Sequence, residues 1–171
     1  SGYTLIGSCR GEQVSRSPVH VRVHFILKDT QGAIDVYRLS NRYDPDFNNG
    51  SYFYESDGKY SAAPCPDIEN ALCFEGSYKR SVIYYATKNK VYPCVIGGSA
   101  VGVNESGAFT APAGEEITTM SLFREAWSYY DQQSTEMEVM EEDANQLLVA
   151  TYNNTTQEGK VYVLPITGNS G

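Results

Sequence analysis

One alternating segment constrains the fold of this 171-residue chain more than any other. Between residues 19 and 27, apolar side chains take every second position, and mostly polar ones lie between them. The apolar set is Val19, Val21, Val23, Phe25 and Leu27, and the other set is His20, Arg22, His24 and Ile26. This period-two pattern predicts a strand with its apolar face buried. Residues 29–32 provide a turn, and residues 33–39 are predicted to run back as the second strand of a hairpin.

Four further pairs of strand-like segments follow. They are predicted at residues 51–55 with 59–62, 81–86 with 91–96, 101–103 with 108–111, and 146–152 with 160–166. A short strand at residues 3–6 precedes them, and residues 7–17 are predicted to be loop. The expected fold class is therefore mainly β, an antiparallel β-barrel or sandwich built from hairpins, in one domain over residues 1–171.

Residues 115–131 depart from this pattern. Met120, Phe123, Trp127 and Tyr130 recur at helical spacing, and acidic residues such as Glu115 favour a helix start. The prediction is one short helix packed on the sheet. The alternative is a twisted strand in which residues 120, 122 and 124 share a face.

The charge balance excludes several classes of partner. Lys plus Arg total 13 and Asp plus Glu total 21, so the net charge is −8. Nucleic acids and anionic membranes attract cationic surfaces, so neither is an expected partner. Since no apolar run approaches the roughly 18 residues that span a bilayer, no membrane insertion is expected. The chain is interpreted as an excised domain or a mature fragment.

No arrangement of residues predicts catalysis. The two histidines, His20 and His24, would lie on one strand face about 13 Å apart, which is too far to share a metal. With Arg22 between them, they are expected to form a solvated polar face. No Gly-x-Ser-x-Gly elbow and no phosphate-binding loop is present. We therefore expect no enzyme activity, no catalytic residue, no metal and no cofactor.

The cysteines leave two interpretations open. Four are present, at Cys9, Cys65, Cys73 and Cys94. A disulfide between Cys65 and Cys73 would close a loop that contains two prolines. Buried free thiols are the alternative, because cysteine is a common core residue.

The candidate binding surface is a long polar loop and the strand after it. Its residues are Tyr43, Asp44, Asp46, Asn49, Tyr52 and Tyr54. Aromatic rings stack on sugar faces, and side-chain oxygens bond sugar hydroxyls. The combination therefore predicts receptor or glycan binding. The alternative is an ordinary loop whose aromatic side chains fold back onto the core.

Two stretches resemble the spike, or projection, domain of astrovirus capsid proteins. Residues 48–56, Asn-Asn-Gly-Ser-Tyr-Phe-Tyr-Glu-Ser, are similar to an Asn-Asn and Tyr-rich strand of that family. Residues 159–166 are similar to its Gly-x-Val strand that runs into Leu-Pro. The resemblance implies a β-barrel-like domain that dimerises, projects from the virion, attaches to host cells and is bound by neutralising antibodies, without enzyme activity. The four cysteines depart from the human members.

Two main functional hypotheses follow. The first is a homodimeric capsid spike on the virion surface that binds a host-cell receptor, with a glycan as the candidate. The second is a secreted, lipocalin-like or β-sandwich domain that binds a small ligand or a host protein. A third, an enzyme on a β-barrel, has no residue to support it.

Overall fold

A computed structural model describes residues 2–16, 19–46, 50–77, 81–123, 126–130, 137–141 and 146–166. Over these ranges the backbone is almost entirely strand, with one short 3-10 helix at Ile68–Asn70. The strands are β1 Thr4–Arg16, β2 Val19–Lys28, β3 Ile34–Asp44, β4 Ser51–Ser61, β5 Cys73–Gly76, β6 Val82–Ala86, β7 Lys90–Gly97, β8 Ala100–Val103, β9 Phe109–Thr110, β10 Glu116–Phe123, β11 Ala126–Tyr130, β12 Met137–Glu141, β13 Gln146–Asn153 and β14 Glu158–Pro165. The mainly β class is confirmed.

Nine strands form one large sheet. Eight follow the order β1-β2-β3-β4-β8-β7-β6-β5, and β9 adds to β7. Every neighbouring pair is antiparallel except β4 and β8, which run parallel where Ser61 pairs with Ala100. Strand β1 returns against β5, so the sheet is nearly closed and barrel-like.

Glycine permits the close approach of β1 to β5. A Cβ atom built on Gly76 would lie 1.5 Å from the carbonyl oxygen of Arg10. A Cβ atom on Gly7, in β1, would lie 2.4 Å from the ring of Phe74, in β5. Any larger residue at position 76 would therefore push the two strands apart, because the clash is with backbone rather than with a movable side chain.

The core consists of two apolar clusters, one on each face of β6. Ile83 and Tyr85 point into the barrel-like sheet, where they pack with Ile26 and Val36. Tyr84 and Ala86 point the other way and pack against the second sheet. Strand β6 is therefore buried on both faces.

The second sheet has the order β10-β13-β14. Ile117, Met120, Leu147 and Val149 cover the second core cluster from this side. The opposite face of the sheet is exposed. Strands β11 and β12 form a separate two-stranded sheet of their own.

The predicted hairpins had mixed outcomes. The pairs β6–β7 and β13–β14 are confirmed. The predicted hairpin over residues 51–62 is wrong, because Ser51–Ser61 is a single strand, β4, which pairs with β3. The predicted 101–111 hairpin is also wrong, since β8 and β9 both pair with β7. Strand β1 extends far beyond the predicted residues 3–6 and includes most of the predicted loop.

The predicted helix at residues 115–131 is wrong, and the alternative of a strand is confirmed over Glu116–Phe123. Met120 and Phe123 do not share a buried face as a helix would require, because Met120 is 4% exposed whereas Phe123 is 48% exposed. The register of β10 on β13 shifts between Ile117 and Thr119, so Ile117 and Met120 both face the core although they are three residues apart. A bulge inserts one residue into a period-two strand, and the resulting spacing of three resembles a helix.

Candidate recognition surface

Three tyrosines share one exposed face at the end of the β3–β4 hairpin, and we call them the tyrosine strip. Tyr43 lies directly opposite Tyr52 across the two strands, and their ring centroids are 5.3 Å apart. Tyr54 lies on the same face of β4, opposite Asn41. The exposed fractions are 38% for Tyr43, 52% for Tyr52 and 64% for Tyr54. These rings do not fold back onto the core, so the alternative of an ordinary loop is wrong for them.

A side-chain hydrogen bond and a glycine shape the chain beside the tyrosine strip. The side chain of Asp44 accepts a hydrogen bond from the backbone N–H of Asp46 at 2.9 Å. Gly50 immediately precedes β4 and has a φ of 86°. A Cβ atom at this position would lie 2.3 Å from the hydroxyl oxygen of Tyr43. The structure therefore brings Asp44 and Asp46 beside the strip. Asn49, which the sequence also predicts here, lies outside the described residues.

One polar group that the sequence analysis missed also belongs to this face. The Oδ1 atom of Asn41 is buried and accepts no hydrogen bond within the described part of the chain. Asn41 is the cross-strand partner of Tyr54 and lies two residues from Tyr43 on β3. A buried acceptor without a donor is uncommon and costs free energy. No sequence signal could reveal it, because its position depends on the pairing of β3 with β4.

The tyrosine strip continues into a wide, half-buried apolar surface on the outer face of β2 and β3. Its apolar members are Val21, Val23, Phe25, Leu27, Tyr37 and Leu39. The prediction that the valine face of β2 is the buried one is wrong. The opposite face points inward instead, with His24 1% exposed and Ile26 0% exposed.

An ion-pair network explains how the polar face of β2 is buried. The guanidinium of Arg22 donates to Asp57 at 2.7 Å and to Glu12. Asp57 also accepts from the hydroxyl of Ser40, and Arg38 lies 3.4 Å from its carboxylate. Because these charges are paired, the inner face tolerates them. The predicted solvated face of His24 and Arg22 is therefore wrong.

A bulge in β4 brings Asp57 into this network. Asp57 and Gly58 both lie opposite Arg38, between the pairs Tyr37–Lys59 and Leu39–Ser56. Gly58 has a φ of 134°, which favours glycine. Burial alone would raise the pKa of Asp57, but hydrogen bonds from Ser40 and Arg22 outweigh it and lower that pKa.

The cysteines are free thiols in this structure. The candidate Cys65–Cys73 disulfide is not formed, because the two residues belong to different clusters. Cys65 packs in the first core cluster, where its thiol interacts with that of Cys94. Cys73 packs against the second cluster.

A groove of about 370 Å³ opens beside Cys65, on the side of the sheet away from the tyrosine strip's turn. It lies between the β2–β3 turn and the segment after β4. Its lining includes two acids, Asp67 and Glu69, with Asn70, whose amide donates to Asp67 at 2.6 Å. Glu69 also pairs with Lys28.

Two searches for other kinds of site were negative within the described ranges. No group of three or more His, Cys, Asp or Glu side chains there could hold a metal ion. No helix there is long and apolar enough to cross a membrane.

Comparison with known proteins gave no relative. A scan against protein-family models found no match, and neither did searches among curated proteins and solved structures. The function is therefore argued from the surface itself.

Proposed function

We propose that this protein is a non-enzymatic recognition domain of the capsid-spike type, which attaches a virion to a host-cell receptor through the tyrosine strip. The observation that carries the proposal is the exposure of three tyrosines on one face, two of them paired across a hairpin. Large aromatic side chains are costly to leave in water side by side, and such clusters mark binding sites.

The chemistry of the strip favours a glycan as its ligand. Tyrosine rings stack on the C–H faces of a sugar, and their hydroxyl groups bond its hydroxyls. Asp44 and Asp46 place carboxylate oxygens at the end of the strip, where they can accept hydrogen bonds from sugar hydroxyls.

The exposed face of the second sheet supports the expected homodimer. Val161 and Val163, on β14, are 66% and 54% exposed, and Phe123 on β10 is also exposed. Strand β14 forms an edge of this sheet. An apolar edge strand is a template for pairing with a second copy, so this face is the proposed dimer surface.

The interior of the large sheet gives less support to a secreted, lipocalin-like carrier. Such a carrier needs an internal cavity for its ligand. Here the interior is filled by core side chains, with the ring of Tyr85 stacked on that of Tyr92 at 5.0 Å. The surface, rather than the interior, is therefore the proposed place of binding, and the virion surface is the proposed location.

The test is binding of the isolated protein to cells and to an array of glycans. Tyr54→Ala and Tyr52→Ala should each lower the affinity about fivefold, since one stacking contact contributes about 1 kcal/mol. Leu72→Ala is the control, because Leu72 is 45% exposed and belongs to neither the tyrosine strip nor the second sheet. Antibodies that block attachment should lose binding with the same two variants.

Two results would contradict parts of this proposal. If both strip variants remain folded by circular dichroism and bind cells as the original protein does, the tyrosine strip is not the attachment site. If cells are bound but no glycan is, the receptor is not a carbohydrate.

A further inference from the structure

Two thiols meet at the boundary between the solvent-filled groove and the core. Cys65 lies in the segment after β4, and Cys94 lies on β7. Cys65 lines the open groove, and it also lines a small internal cavity whose wall includes Cys94. Cys65 is 7% exposed, and it therefore has the groove on one side and the second thiol on the other.

The two thiols are chemically unequal. The S–H group of Cys94 hydrogen-bonds the sulfur of Cys65, which lowers the pKa of Cys65. The same hydrogen bond, followed by burial, raises the pKa of Cys94. A lowered pKa and its position at the groove make Cys65 the attacking thiol. Cys94 is placed to attack the mixed disulfide that Cys65 would form with the small molecule.

The other two cysteines are poor candidates for this chemistry. Burial, assisted by the charge of Glu75, raises the pKa of Cys9 to about 12. Burial also raises the pKa of Cys73. Neither residue lines the groove.

We propose that Cys65 and Cys94 form a thiol–disulfide exchange site that takes a small, positively charged disulfide through this groove. The charge preference follows from Asp67, since the described lining contains no basic residue and its other acid, Glu69, is already paired with Lys28. Carboxylates concentrate cations near them and repel anions. The proposal is independent of the proposed receptor-binding function.

The exchange proceeds in two balanced steps. The thiolate of Cys65 attacks one sulfur of the small disulfide, whose S–S bond breaks, and the released thiolate takes the proton that Cys65 gave up. The sulfur of Cys94 then attacks the sulfur of Cys65, the mixed S–S bond breaks, and the second small thiolate leaves with the proton of Cys94. Two protein thiols are oxidised, and one small disulfide is reduced to two thiols.

The Cys65–Cys94 disulfide would connect two parts of the chain across the interior of the large sheet, namely the segment after β4 and strand β7. A cross-link between residues 65 and 94 restricts the unfolded chain more than the folded one. The midpoint of thermal unfolding should therefore rise by on the order of 10 °C on oxidation. Such a bond would strengthen the domain after transfer from a reducing to an oxidising compartment.

The experiment exposes the folded protein to cystamine, a cationic disulfide, and to glutathione disulfide, an anionic one. Mass spectrometry of alkylated peptides then identifies the bonded cysteines. We expect a Cys65–Cys94 disulfide that forms about tenfold faster with cystamine. The double variant Asp67→Asn, Glu69→Gln should remove most of this difference.

Single variants separate the roles of the thiols. Cys94→Ser should stop at a mixed disulfide on Cys65, whereas Cys65→Ser should remain unmodified. Cys9→Ser and Cys73→Ser are matched controls that should react as the original protein does. Near-ultraviolet circular dichroism checks that each variant is folded, and Cys94→Ala replaces Cys94→Ser if that variant is not.

Three results would overturn the proposal. The first is a disulfide that joins another pair, such as Cys65 with Cys73. The second is Cys94→Ser protein that is folded and gains no adduct. The third is oxidation that occurs only in urea, which would mean that the folded groove gives no access to Cys65.

Discussion

Arg22 and Asp57 are joined at 2.7 Å across the inner face of the sheet, although they lie on β2 and β4 with β3 between them. Their side chains are only 20% and 18% exposed. The pair connects three strands, since Ser40 on β3 donates to the same carboxylate oxygen. It therefore holds the register of the strands that carry the tyrosine strip.

Asp57→Asn should destabilise the protein by about 2 kcal/mol, because in a half-buried setting it removes the charge that pairs with Arg38 and one of the two carboxylates that pair with Arg22. The free energy of unfolding in urea measures this loss. Glu55→Gln is the matched control, since its pair with Arg42 is exposed and should contribute less than about 0.5 kcal/mol. Equal losses in the two variants would mean that burial does not strengthen the Asp57 network.

Gly76→Ala should destabilise the protein by about 3 kcal/mol. The added Cβ would overlap the carbonyl oxygen of Arg10 and separate β1 from β5. Gly97→Ala is the control, because a Cβ there would meet no atom within 4 Å, and it should change stability by less than about 0.5 kcal/mol. Thermal unfolding of the two variants measures the difference. A Gly76→Ala protein as stable as the control would contradict the close β1–β5 contact.

Stability should fall as the pH drops from about 6.5 to about 4, because of His24. Burial, and then the charge of Arg38, lower the pKa of His24 to about 4 from its ordinary 6.5. Neither ring nitrogen makes a well-formed hydrogen bond within the described residues, although the nearby backbone of Arg10 slightly favours the protonated ring. The unfolded chain therefore binds this proton at a higher pH than the folded chain does.

The expected loss over this range is on the order of 3 kcal/mol. Urea unfolding at a series of pH values measures it, and His24→Gln should flatten the profile between pH 6.5 and 4. Carboxyl groups with a lowered pKa, such as Asp57, are present in both proteins and contribute equally to the two profiles, so they leave the comparison intact. A profile that keeps its slope in the variant would exclude His24 as the cause.

Val163→Glu should convert the proposed homodimer into a monomer near 18.9 kDa. A carboxylate on the exposed face of β14 would have to lose its water in the interface, which is costly. Val95→Glu places the same charge at a site that is 45% exposed on β7, and it should leave the dimer intact. Light scattering over a concentration series gives the masses. An original protein that is monomeric throughout, or a dimer that survives Val163→Glu, would contradict this interface.

Local sequence patterns were sufficient to predict two of the hairpins, in which strand, turn and strand follow one another in the chain. The hairpins β6–β7 and β13–β14 have apolar strands with turn residues between them, so the sequence predicts them correctly. The candidate tyrosines were also found from residue type and loop context. Their exposure on one face became certain only from the pairing of Tyr43 with Tyr52.

The sequence by itself determined the mainly β class, the acidic surface charge and the residues of the tyrosine strip. It could not determine which face of β2 is buried, because alternation separates two faces without ranking them. Only the tertiary structure decided that His24 and Arg22 point inward, since Glu12 and Asp57, from β1 and β4, supply the opposing charges there. The strand conformation of β10, which pairs with β13, and the meeting of Cys65 with Cys94 likewise depend on contacts between segments that are distant in the chain.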